Sequence, residues 1–172
     1  MLRIRQNIFE TNSSSAHSIV ILNEVSDNLL KRNKNKDSIR IYENNKELEL
    51  QDTDVKFYCD FKVLTSIGDK IGYAMASYED RDKIQEELEE ILSKYTNGEI
   101  TKITIYDEKF GETVYPHVDH QSIGTLEFFL KNNNITLEEF ICDPKYIVII
   151  DKDGAGVLYN LKIVGMIKEQ YK

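Results

Sequence analysis

Residues 65–108 read TSIGDKIGYAMASYEDRDKIQEELEEILSKYTNGEITKITIYDE, and the order of periodicities in this stretch decides the fold class. Ile67, Ile71, Ala74 and Met75 recur at helical spacing over 65–77, weakened by Gly68 and Gly72. Ser77 with Asp80 three residues on has the form of a capping box, and Ile84, Leu88, Ile91, Leu92 and Tyr95 then make one apolar stripe. Asn97-Gly98 stops that second helix. Glu86, Glu87, Glu89 and Glu90 fall mostly off the stripe and read as a solvated face. ITKITIYDE at 100–108 alternates as a strand. Two helices followed by a strand break the regular βαβ alternation. The expectation is therefore α+β, one domain over 1–172 with a mixed or antiparallel sheet and about four to five helices.

Working outward towards the N-terminus, SIRIYENNKELEL at 38–50 reads as a hairpin turning at Asn44-Asn45. SIVIL at 18–22 reads as a short buried strand, and residues 24–33 as a small helix before the charged stretch KRNKNKD. Leu2, Ile4 and Ile8 alternate with Arg3, Arg5 and Asn7, which predicts a half-buried strand with both arginines on its polar face. Towards the C-terminus, Ser122 or Thr125 is the expected start of a helix through Leu126, Phe129 and Leu130. Thr136 with Glu139 opens a short helix that Asp143-Pro144 breaks. YIVII at 146–150 and VLYNLKIVGMI at 157–167 pair as a hairpin around DKDGAG, a turn that lacks the acids of a calcium loop.

With 172 residues, 41% hydrophobic, the chain has material for one core. Its net charge of −8 argues against nucleic-acid coating and against an anionic membrane surface. That charge is uneven, because residues 1–40 carry a net +3 and the remainder −11. The start has no apolar signal segment, and no apolar run is long enough to span a bilayer, so the expected location is the cytoplasm. Cys59 and Cys142 are far apart and fit reduced core residues. There is no P-loop, and the ten tyrosines are scattered rather than arranged as a stacking platform.

Two polar segments resist a packing explanation. In 11–18, Thr11, Asn12, Ser13, Ser14, Ser15, Ala16, His17 and Ser18 supply hydroxyls at five of eight positions. Such a turn can form an anion-binding concavity, with Arg3 and Arg5 adding charge beside it. The bland reading is a run of Ser/Thr turns satisfying its own backbone, with His17 starting the strand. In 115–122, His117, Asp119 and His120 have a spacing that suits a metal ion or a carboxylate-oriented imidazole. The bland alternative there is that Asp119 or Ser122 caps the next helix. No metal and no other cofactor is expected.

The opening RQNIFETNSSSAHS at 5–18 resembles the N-terminus of a family of uncharacterised phage and mobile-element proteins of low-GC Gram-positive bacteria, marked by the motif RxNxFETNSSSxHS. Weaker similarities lie in DKIGYAMAS, VDHQS and LEEFICDPKYIVIIDKDG. The resemblance implies an accessory protein acting inside an infected bacterium, in host takeover or counter-defence, and it carries over no catalytic residue. The leading expectation is a non-enzymatic binding protein. It would use Arg3, Arg5 and 11–18, including His17, to hold a phosphate-bearing small molecule or an anionic patch on a host protein. One alternative is a hydrolase or phosphodiesterase in which His17, His117 and His120 converge, Asp119 orients or ligates, and Ser14 or a neighbour attacks. Another is an acidic decoy of a basic host protein.

Overall fold

A computed structural model describes residues 16–22, 40–42, 47–51, 62–107, 112–113 and 124–151. The expected strand at 2–8, the helix at 24–33 and the segment at 157–167 lie outside these residues. Within them the protein is α+β: strands β1 (Ala16–Ile21), β2 (Arg40–Tyr42), β3 (Glu47–Gln51) and β4 (Lys62–Leu64) precede helices α1 (Ile67–Ser77) and α2 (Arg81–Tyr95). Strands β5 (Lys102–Asp107) and β6 (Glu112–Thr113), helices α3 (Thr125–Asn133) and α4 (Leu137–Cys142), and strand β7 (Tyr146–Asp151) follow.

One sheet has the order β1-β7-β4, antiparallel throughout, with His17 opposite Ile150 and Val63 opposite Ile149. The other has the order β2-β3-β5-β6. There β2 and β3 form the expected antiparallel hairpin, while β3 runs parallel to β5, with Leu48 opposite Ile103. The expected pairing of 146–150 with 157–167 is corrected: β1 and β4 occupy both edges of β7. Period-2 patterning identifies a strand and its faces but not its neighbour.

The caps explain where the helices begin and end. Ser66 Oγ accepts from Asp69 N at 3.1 Å and Asp69 Oδ2 accepts from Ser66 N at 3.2 Å, a reciprocal box that starts α1. Ser77 and Asp80 do not form the expected box. Ser77 is the last residue of α1, its hydroxyl donating back to Tyr73 O at 2.8 Å, and Asp80 is itself the cap of α2, accepting from Lys83 N. Helix α2 ends in a Schellman closure, with Gly98 N donating to Ser93 O and Asn97 in the left-handed region at φ 53°. Thr136 and Glu139 make the expected box on α4.

Helix α3 differs from expectation. Its cap is Gly124, at φ 78°, so neither Asp119 nor Ser122 is the cap and Thr125 is the first helical residue. The left-handed conformation is what favours glycine here, because a Cβ would meet only the end of the exposed Glu79 side chain, 3.3 Å away at Oε1, which can give way.

The helices pack on one face of the first sheet. Ile19, Leu64, Val148 and Ile150 join Ile71, Tyr73, Ile84, Leu88, Phe129 and Phe140 in one core that extends to Ile103 on β5. The stripe of α2 is buried as far as Leu92, whereas Tyr95 is half exposed. Glu89 is not simply solvated: its Oε1 accepts from Ile103 N at 3.0 Å, and Gln85 donates to Ile103 O at 3.2 Å, so two side chains of α2 grip the backbone of β5. Val20, Ile147 and Ile149 alternate to the opposite face and are buried as well. Burial on both sides accounts for the unbroken apolar run of β7.

Gly124→Ala should destabilise the fold by about 1–2 kcal/mol through the left-handed strain, which denaturant titration measures. Adding Glu79→Ala should recover less than half of that loss.

Candidate functional site

Of the candidate residues, His17 alone lies among those described. Arg3, Arg5, Thr11, Asn12, Ser13, Ser14, Ser15, His117, Asp119 and His120 lie outside them. Alternation along β1 puts His17 in phase with Ile19 and Ile21, on the side that meets the helices. The imidazole is only 4% exposed. Its Nδ1 lies 3.4 Å from Tyr73 Oη, a hydrogen bond whose donor is set by the imidazole tautomer, and the rings are tilted 53° with centroids 5.7 Å apart. Tyr73 is fully buried, and burial pushes its phenol well above the ordinary tyrosine range, so it stays protonated. His17 is therefore a core residue of the sheet–helix interface, which fits a structural role better than that of a solvent-facing base.

A second long-range bond is made one turn further along α1. Gly124, immediately after residues 114–123, donates its N–H to Ser77 O at 2.6 Å. Ser77 lies one turn beyond Tyr73, and its hydroxyl bonds to Tyr73 O and Ala74 O. The chain following 11–15 is thus anchored on Tyr73 and the chain following 114–123 on Ser77. His17 and Gly124, about a hundred residues apart in sequence, bond to residues one turn apart on α1. A buried, hydrogen-bonded helix is the kind of rigid support on which binding loops are carried.

Three residues before Tyr73 on α1 stands a residue that the spacing of charges and apolar positions does not single out. Lys70 is fully buried. Its Nζ donates to Asp143 O at 3.1 Å, at the C-terminus of α4, and lies 5.9 Å above the Phe140 ring. Burial pulls its pKa down from 10.5 to about 8, against the opposing pull of Cys142, Asp143 and Asp69. The available signal was the helix itself: α1 is buried on nearly all sides, which leaves a lysine in its second turn no route to water. Cys142 is half-buried and unpaired, and burial pushes its thiol up. On the exposed side of α4, Lys94 makes a two-pronged salt bridge to Glu138, at 2.7 and 2.8 Å.

Among the described residues, no group of three or more His, Cys, Asp or Glu is placed to hold a metal ion, and no helix is long and apolar enough to cross a membrane. No family model matches the chain, and neither a curated protein nor a solved structure does.

His17→Ala should lower stability by roughly 2–3 kcal/mol through the cavity and the loss of the Tyr73 partner, as read by chemical denaturation. Lys70 gives a pH signature. Below pH 8 the folded and unfolded states both hold its proton; above pH 8 the unfolded state, near 10.5, binds more protons and stability rises. Above pH 9 Cys142, and above pH 10 Tyr73 and Tyr78, oppose that rise, because burial keeps them protonated while the unfolded chain ionises. Stability measured by denaturation at a series of pH values should therefore climb between pH 8 and 9. Lys70→Met should abolish the climb and be more stable than the wild type by about 1–2 kcal/mol at pH 7.

Proposed function

We propose that the protein is a small binding protein of phage type, and that its ligand site is formed by the hydroxyl-rich 11–15 segment with Arg3 and Arg5, bordered by the 117–122 segment. The observation that carries this reading is the shared anchorage. His17, which follows the first segment, bonds to Tyr73, and Gly124, which follows the second, bonds to Ser77 one turn further along α1. Hydroxyls, free backbone N–H groups and two guanidinium groups are the chemistry of phosphate recognition. The ligand is accordingly a phosphate-bearing small molecule or an anionic patch on a host protein, met in the host cytoplasm during takeover or counter-defence.

The burial of His17 supports binding over hydrolysis. A histidine base must reach the proton it abstracts, and joining His17 to His117 or His120 through one water or metal requires separations below roughly 12 Å on an accessible face. An imidazole held against a buried phenol meets that demand poorly.

Isothermal titration against a panel of nucleotides, with a parallel pull-down from host lysate, tests the assignment. Binding of a phosphate-bearing ligand at micromolar concentration is expected, weakened at least tenfold in an Arg3→Ala/Arg5→Ala variant of unchanged melting temperature, a loss of about 1.4 kcal/mol or more. Silence in both experiments overturns the reading, as does turnover of a phosphodiester that His117→Ala abolishes.

A further inference from the structure

Lys70 is the only buried lysine or arginine among the residues whose side chains are described. One backbone carbonyl and one ring face are thin replacements for the hydration of an ammonium that can donate three hydrogen bonds. The element it grips depends on its contacts, with Leu137, Phe140 and Ile141 buried in the core. Helix α4 has six residues, too few to persist without tertiary support, and it leads through Asp143 and Pro144 directly into β7. We propose that this corner is a proton-linked release point, where α4 and the 143–145 turn part locally from α1 while α2 and the β1-β7-β4 sheet stay closed.

The titratable groups within electrostatic reach of Lys70 are Asp69 on α1 itself, and Cys142 and Asp143 at the end of α4. All three favour the charged amine, and desolvation outweighs them. At neutral pH the closed corner confines a charge that opening rehydrates. Above about pH 8 the closed corner holds a neutral amine and has less to gain by opening. Asp143 O also accepts from Tyr146 N at 3.3 Å, so removal of the amine does not orphan that carbonyl. Opening uncovers the half-buried thiol of Cys142, whose access to solvent is thereby linked to the same proton.

Residue-resolved amide hydrogen exchange on the full chain tests the proposal. The informative amides are those of Phe140 and Asp143, which donate to Thr136 O and Glu139 O. At pH 7 they should exchange by an opening that leaves α2 protected. Their protection, corrected for intrinsic exchange rates, should rise by up to about tenfold from pH 7 to pH 9. Lys70→Met should already show the higher protection at pH 7. Protection that is flat with pH, lowered by Lys70→Met, or raised equally in α2 overturns the proposal. Where the variant does not fold, the wild-type pH series decides alone.

Discussion

Strand β7 is the constraint on which the rest of the fold depends. Its side chains from Tyr146 to Ile150 are at most 5% exposed, so neither face can be given to water. Its backbone groups must then be satisfied laterally, because a buried unpaired N–H or C=O costs as much as a lost hydrogen bond. β1 and β4 meet that demand on either edge, bringing residues 16–21 and 62–64 against a segment more than eighty positions later. α1 follows β4 directly, after Thr65 and Ser66.

From that placement the polar interior of the molecule follows. α1 lies between the sheet and the other helices and is buried on nearly every side, so its few polar groups need internal partners. Tyr73 meets His17, Ser77 bonds to its own helix and receives Gly124, and Lys70 reaches the end of α4. One helix thus ties down both ends of the core: the sheet and the α3 start on one side, the α4–β7 corner on the other. The arrangement places His17 in the core beside Tyr73, whereas residue type alone suggested a catalytic role.

Much of this was legible wherever a local rule acted without competition. Thr136 and Glu139 stand before an apolar run and cap α4 as read. The continuous YIVII announced a strand buried on both faces, and Asn97-Gly98 a helix end. The misreadings came from ambiguous spacing. A serine three residues before an aspartate occurs at 66/69 and again at 77/80, and only the first is a box, because Ser77 spends its hydroxyl on the carbonyl of Tyr73. Lys70 was passed over because a lysine on an amphipathic helix is usually solvated. His17 carried a usable sign of burial in its phase with Ile19 and Ile21. The partner of β7 was beyond local pattern altogether, since a hairpin is the nearest pairing in sequence and not the one adopted.

The most direct test of this account is a cross-linking measurement of β1–β7 register in a background with Cys59 and Cys142 replaced. The pairs Ser18→Cys/Ile149→Cys and Ile19→Cys/Val148→Cys sample both kinds of antiparallel neighbour, directly opposed at 18/149 and 19/148. Disulfide formation in at least one of them, with none in Ser18→Cys/Ile147→Cys, is the predicted result. Cross-linking of the out-of-register pair alone, or of none of the three, would contradict the central placement of β7.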